Sequence, residues 1–456
     1  MKYLLFGTGD CYNRYKCWFG RAEIVALIDN SAEKQGSKID GLEVKSPEEG
    51  VSLEYDAVVI LSFYVDSMKE QLIRLGVNEE DIYHFYDLHK LKKVDFAAHP
   101  IQCFGNVYSG HRKKKILLLN QNLAVGGPAL TLLDCARVLK KNGYQTIYGS
   151  MIDGPLRDAI LKEDIPVVID ENMLIGTMRE TEWVKKYDLI LCNAINYYYF
   201  LSERECIIPC VWWLHDSEFF YKGVDKDIIA QIPTGNLSTY AVGKVAKDAL
   251  VHYAPQLQPE YLLYGTKDVS RTDTIKSVSS KIRFATLGFV ENRKGQDILI
   301  RAVSGLDKAI RSQCEFYIIG KNTSALAENI MYDSKNIPEV IFTGMVENVH
   351  AYLTEADVLI CPSREDPMPA ACAEAMMHRV SCIVSDAVGT AEYIKPKCNG
   401  MVFQSENVED LKNQIIWCVE HRHMLADMGR EARKIYDEYF EMSIFERKIL
   451  QIVSNI

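Results

Sequence analysis

The stretch Cys361-Pro362-Ser363-Arg364-Glu365-Asp366-Pro367-Met368-Pro369, running into Ala370-Ala371-Cys372-Ala373-Glu374-Ala375, decides the fold class of this chain. The apolar residues before Ser363 read as a buried strand. Two prolines mark the turn after it, and Pro369 suits the start of a helix, where a missing N–H costs nothing. Asp366 therefore hangs on the loop after a strand, and Glu374 sits roughly one to two turns into the helix that follows. The carboxyl edge of such a strand is where open α/β sheets bind ligands. An ionised carboxylate is an acceptor only and can take two O–H donors, which suits the hydroxyls of a sugar or a ribose. Taken alone, Glu365 and Asp366 serve equally well as charge compensation at a helix start.

Outward from this stretch, short apolar runs alternate with longer helical patterns, the mark of a parallel α/β architecture. Three sets are present. The first holds runs at 2–7, 23–30, 55–62 and 81–88. Residues 96–112, with Pro100, Gly105 and Gly110, read as a linker closed by Arg112-Lys113-Lys114-Lys115, a solvated strand entry. The second set has runs at 115–120, 166–170, 187–194, 209–215, 238–243 and 261–265. After the polar stretch 270–280, the third has 283–288, 315–320, 339–344, 356–363, 382–389 and 399–403, then an amphipathic tail at 408–456. This predicts an N-terminal Rossmann-like α/β domain at 1–95, a linker at 96–112, a second domain at 113–272 and a third at 273–456. In the first of these, Gly7-Thr8-Gly9 with Asp29 resembles a dinucleotide-binding start, but Tyr12 stands where the third glycine belongs.

The 456 residues are 48% hydrophobic and 25% charged, ordinary globular composition. A net charge of -10 argues against general nucleic-acid binding. It leaves room for an anion held locally by backbone N–H groups and a lysine. The 13 cysteines are scattered, many of them in apolar runs, without zinc spacing, and read as reduced thiols. The N-terminal apolar stretch is too short for a signal peptide and no run reaches the roughly 18 apolar residues of a membrane span, so a cytoplasmic location is expected.

Other motifs fall at strand ends. Gly288-Phe289-Val290-Glu291-Asn292-Arg293-Lys294 follows the first strand of the third set, and Val388-Gly389-Thr390-Ala391-Glu392 follows another. Glycine there lets a ligand approach the backbone closely. In the second set, the loop 121–128 carries Gly126-Gly127 before a helix that closes with Lys140, Lys141 and Gly143. His215 ends the apolar run Val211-Trp212-Trp213-Leu214, whose tryptophans read as core. The aromatic run 197–200 also reads as core, with the acceptor side of a cleft as its alternative.

In this order, over about residues 114–456, the motifs resemble the retaining glycosyltransferases of family four, the glycosyl transferases group 1. The resemblance implies a GT-B fold, two facing Rossmann-like domains, here with the extra N-terminal Rossmann-like domain. Asp366 takes the first position of the family's acidic–seven residues–acidic motif and Glu374 the second, with Glu365 as the adjacent alternative. The resemblance implies catalytic parts for His215, Asp366 and Lys294. It implies donor binding by Glu374 on the ribose, Arg293 and Lys294 near the diphosphate, and Gly288, Met368, Pro369, Gly389, Thr390 and Ala391 around them. Gly126 and Gly127 would form the acceptor-side loop, and the last helix, about 436–456, would cross back to the second domain. The implied reaction is retaining transfer from a nucleotide-diphosphate sugar, such as a UDP-sugar, without metal or cofactor. The acceptor would be a glycan, lipid-linked or protein-linked, in surface polysaccharide or glycoconjugate synthesis, with peripheral contact at the inner membrane face. The alternative is a non-catalytic nucleotide-sugar-binding regulator. Residues 1–95 fall outside the resemblance and are expected to be dispensable for the chemical step.

Overall fold

Three sets of apolar runs become three sheets. The computed structural model describes every residue except 63, 86, 92–98, 107–113, 271–278 and 322–324. Each sheet is built around its own first long strand. Lys2–Phe6 lies between Glu23–Ile28 and Ala57–Ile60, parallel to both. Lys115–Asn122 lies likewise between Gln145–Ile152 and Leu189–Asn193. Ile282–Leu287 lies between Cys314–Ile319 and Val358–Cys361. The chain thus runs outward on one side, returns, and runs outward on the other, which leaves a crevice at the carboxyl edge beside each first strand. The six strands of the third sheet are all parallel.

Several strands went unseen in the sequence. Gln145–Ile152 is buried along its whole length, yet Gln145, Thr146, Gly149 and Ser150 interrupt its apolar pattern. It is tolerated in the core because Ser150 Oγ donates to the Ile152 carbonyl at 2.8 Å. The hairpin of Lys38–Ile39 and Leu42–Lys45 was also missed. The linker reading of 96–112 needs correcting: Gln102–Phe104 is a strand, antiparallel to Val167–Ile169 on the edge of the second sheet. Arg112 and Lys113 of the basic run lie outside the described residues, and Lys115 opens the first strand of that sheet, exposed.

The first unit shares a core with the second. Trp18, Phe85 and Leu88 belong to the same buried cluster as Leu117, Trp212 and Tyr221. Arg14 pairs with Glu171 at 2.7 Å and Lys90 donates to the Gly223 carbonyl at 3.2 Å. The third unit is tied to the second by the last helix, Met442–Asn455: Phe445 stacks on Trp213 at 5.5 Å, and Asn142 donates to Glu446 at 3.1 Å.

Whether residues 1–95 are dispensable for the chemical step is a separate matter from stability, because the shared core means that they are not removed without uncovering apolar surface. A chain starting near residue 112 would expose the apolar face of the second unit, and it is expected to aggregate. In the full chain, Phe85→Ala should cost about 3–5 kcal/mol, the usual range for emptying a buried aromatic site. Thermal unfolding followed by tryptophan fluorescence should show the first and second units melting together and earlier. A soluble, folded truncation, or a first unit that melts by itself, would contradict the shared core.

Candidate active site

A cleft of about 520 Å³ opens between the second and third sheets at their carboxyl edges. Its third-unit wall rests on the loop that follows Val358–Cys361, and that loop is gripped by two glycines. Gly295 has φ +68°, and a Cβ there would meet the Pro362 carbonyl oxygen at 2.1 Å. A Cβ on Gly389 would meet the Pro367 oxygen at 1.8 Å. Arg364 adds a fork to Asp297, two bonds of 2.7 Å each, and its N–H donates to the Arg293 carbonyl at 2.8 Å. The backbone of Asp366 is pinned on both sides, donating to Ala387 O at 3.3 Å and accepting from Gly389 N–H at 2.9 Å.

So held, the Asp366 carboxylate meets Lys294 Nζ at 2.6 Å and Arg293 Nη1 at 3.5 Å. Burial works against the lysine's charge, but the facing Asp366 carboxylate outweighs it and keeps the ammonium above its ordinary pKa. Glu365 turns away and accepts the Phe219 N–H of the second unit at 3.2 Å. Asp366 rather than its neighbour is therefore the acidic residue in contact with the cations. Glu374, on the helix Ala370–Met377, takes no hydrogen bond or ion pair from the described residues, and burial pushes its pKa up.

The opposite wall comes from the second unit. Asn193 Nδ2 donates to Asn120 Oδ1 at 2.8 Å and to the Pro128 carbonyl at 3.0 Å, which fixes the glycine loop to the sheet edge. Gly126 caps the helix Gly127–Lys141, and nothing lies within 4 Å of where either glycine's Cβ would be. The loop surface is open to the cleft. His215 Nε2 is covered and has no partner among the described residues. Burial drops its pKa to about 3, so the ring is neutral in the physiological range. Asp216 accepts the Ile195 N–H at 2.7 Å, and burial raises its pKa to about 6. Tyr264 adds a buried hydroxyl without a partner.

The structure brings His215, Asp366, Lys294, Arg293, Gly288, Glu374, Met368, Pro369, Gly126 and Gly127 to this one cleft. Gly389, Thr390 and Ala391 are not among its lining. Gly389 and Thr390 are buried behind the Asp366 loop, and the N–H groups of Gly389 and Ala391 are spent on Asp366 O and Val388 O. The close approach that requires glycine there is to Pro367 of the same chain, so the turn supports the loop. Sequence reasoning missed Asn120, Asn193, Asp216 and Tyr264. The asparagines stand at the polar ends of apolar strands, the one signal that marked them. In the first unit, Asp29 accepts the Thr8 N–H and the Ser31 N–H, each at 2.9 Å, so that carboxylate is engaged within its own chain. Among the described residues no group of three or more His, Cys, Asp or Glu is placed to hold a metal ion. No helix among them is long and apolar enough to cross a membrane.

The fold with this cleft is GT-B. Residues 272–435 match the family model described as glycosyl transferases group 1, and residues 1–83 match one described as C2185-like, N-terminal. The third unit is thus similar to the glycosyl transferases group 1, and the neighbours share the fold. The Anabaena Alr3699/HepE crystal structure, in complex with UDP and glucose, superposes with TM-score 0.63 at 18% identity, over 75% of this chain and 100% of that one. The lipopolysaccharide outer core galactosyltransferase WaaB gives TM-score 0.60 at 14% identity, over 75% and 100%. An uncharacterized 41.2 kDa protein in the cps region of Klebsiella pneumoniae is 27% identical over 212 residues, 46% of this chain. The chain spans about half of that relative's length, 55%.

The raised pKa of Asp216 carries a signed expectation. Between the unfolded carboxylate value of roughly 3.9 and about 6, the folded state holds a proton that the unfolded state releases, so this group stabilises the fold as pH falls. Asp216→Asn, which keeps an acceptor for Ile195, should be more stable than the parent at pH 7.5 by on the order of 2 kcal/mol. The gap should close as pH drops through 6 towards 4. Urea midpoints of both proteins across that range measure it, and a gap that is flat with pH would show that Asp216 is not the buried acid described.

Proposed function

We propose that the chain is a glycosyltransferase that moves a sugar from a nucleotide-diphosphate donor, UDP-linked in the first instance, with retention of configuration and without a metal. The observation that carries this reading is the convergence of Lys294, Arg293, Asp366 and Glu374 at one sheet edge, facing His215 and the Gly126-Gly127 loop across the cleft. The third unit, about 273–456, would take the donor, and the second, 113–272, the acceptor. Glu374, unpaired by protein, suits the two ribose hydroxyls. Arg293 and Lys294 suit the diphosphate, and Asp366 the hydroxyls of the transferred sugar. Support for UDP comes from the Anabaena neighbour, whose complex contains UDP and glucose.

In the proposed step the bond from the sugar's anomeric carbon to the β-phosphate oxygen breaks, and its electron pair leaves with the diphosphate. Lys294 and Arg293 stabilise that growing charge, the task a metal performs elsewhere. The acceptor oxygen forms the new bond on the same face, and its proton passes to the departing phosphate oxygen. Retention is what the resemblance to the retaining glycosyltransferases implies, and several polar groups of the cleft are already engaged or weakly basic. Asp366 is paired with Lys294, Asp216 is bonded to Ile195, and His215, with a pKa near 3, accepts a proton weakly. His215 then serves as a neutral hydrogen-bonding partner of the transferring sugar. Acceptors in polysaccharide or lipid-linked glycan synthesis, reached from the cytoplasmic face of a membrane, fit a chain related to a protein of a cps region.

Glu374→Ala should weaken UDP binding by about 1.5–3 kcal/mol, the value of a hydrogen bond to a charged group. Asp366→Ala should leave UDP affinity nearly intact and lower turnover, while Glu365→Ala should do little to either. Calorimetry with UDP and initial rates of UDP release separate these effects, and unaltered UDP affinity in Glu374→Ala would refute the ribose assignment.

Activity should also survive excess chelator, and proton NMR of the product should show the donor's anomeric configuration. Loss of activity in chelator that magnesium or manganese restores would rule out the metal-free step, and inverted product would rule out retention.

A further inference from the structure

A second pocket, of about 360 Å³, lies where the carboxyl edge of the first sheet meets that of the second. The first unit supplies His84, the last residue of its strand Ile82–His84, and Asp87 and His89 just beyond it. The second unit supplies aromatic residues: Tyr199 stacks on His89 with ring centroids 4.2 Å apart, and Tyr198 OH lies 3.0 Å from His89 Nε2. The pocket is not isolated. Gln121, Asn196 and Phe220 line both it and the donor cleft, so the two form one continuous groove. Phe220 is 47% exposed, an aromatic ring left open at the junction. The side-chain amides of Gln121 and Asn196 make no hydrogen bond with the described residues, although each offers two donors and an acceptor.

We propose that this pocket is an acceptor-glycan subsite, holding sugar units that precede the one whose hydroxyl is glycosylated in the adjoining cleft. The proposal rests on the glycosyl-transfer reading above and adds what the first unit does in it. A pyranose presents a C–H face and an O–H rim. Aromatic walls at Tyr199 and Phe220 meet the first, while amides and a carboxylate meet the second, the mixture of apolar lining and few polar groups that small-molecule sites use. The charge at the rim is balanced: no Lys or Arg is among the described lining residues, and the Asp87 carboxylate is paired with Lys90 at 3.2 Å. Because Asp87 and His89 come from the first unit and Tyr199 from the second, the pocket exists only when the two are docked. The N-terminal unit thereby becomes part of acceptor recognition.

The test is saturation-transfer NMR on the full chain, without nucleotide, using p-nitrophenyl mono- and trisaccharides of glucose, galactose and N-acetylglucosamine. UDP binding by calorimetry runs in parallel. At least one trisaccharide should bind the parent more tightly than its monosaccharide. Tyr199→Ala should weaken that trisaccharide roughly five- to tenfold, the scale of a lost aromatic contact, with monosaccharide and UDP binding unchanged. Asp87→Ala provides a second variant should Tyr199→Ala fold poorly, and Tyr199→Phe should keep the affinity. The subsite is overturned if no trisaccharide binds the parent, or if the folded variants bind it as tightly. Failure of UDP and UDP-sugars to bind the parent would instead overturn the donor reading, and leaves the glycan result to be judged separately.

Discussion

A lysine and an aspartate from two different loops meet at 2.6 Å in the wall of the cleft, and much of the third unit is arranged to make that meeting hold. Lys294 follows the strand Ile282–Leu287 and Asp366 follows Val358–Cys361, so the pairing of those two strands brings the loops side by side. A buried ion pair repays its desolvation only with good geometry, and removing one partner strands a charge. The geometry comes from backbone. Gly295 and Gly389 admit carbonyl oxygens where any side chain would collide, and the Arg364 fork locks one loop to the helix after the other. The pair is pre-set before any donor arrives, which is how a charged site avoids reorganisation during a reaction.

Polar groups around the cleft are put to two different uses. Behind the glycine loop, Asn193 Nδ2 donates to Asn120 Oδ1 and to the Pro128 carbonyl, and this work is positional. Facing the cleft, His215 Nε2 and the Tyr264 hydroxyl are covered yet unpaired, and the Glu374 carboxylate takes no partner. Unpaired buried polar atoms are costly to a fold and are rare for that reason. A neutral His215, an Asp216 acid raised by burial and a Glu374 raised by burial line one cleft, and perturbed titrations of this kind collect at ligand sites.

The N-terminal unit alters the view of the acceptor side. Its apolar face is merged with the second unit through Trp18, Phe85 and Leu88, so its own carboxyl edge is held against that of its neighbour. Its glycine turn, by contrast, is directed inward: Asp29 is bonded to Thr8 and Ser31. The feature that looked most like a binding motif is engaged in holding its own loop, while His84, Asp87 and His89 border a groove.

Sequence alone determined the α/β class, the three sets of strands and most of the cleft lining. Those inferences follow from local regularities: an apolar run ending in a turn marks a strand's carboxyl edge, and chemistry collects at such edges. The resemblance to the family's acidic–seven residues–acidic motif pointed to Asp366 over Glu365, and in the structure Glu365 accepts the Phe219 N–H. Tertiary structure decided what spacing does not encode. Gly389, Thr390 and Ala391 carry a plausible phosphate-binding pattern, but which surface a glycine approaches depends on the loop folded against it, here Pro367. The strand Gln145–Ile152 escaped notice because its polar residues are satisfied by partners that only the sheet supplies. The pocket of His89 and Tyr199 joins residues 110 positions apart, and no pattern along a chain reports a contact made only when two cores merge.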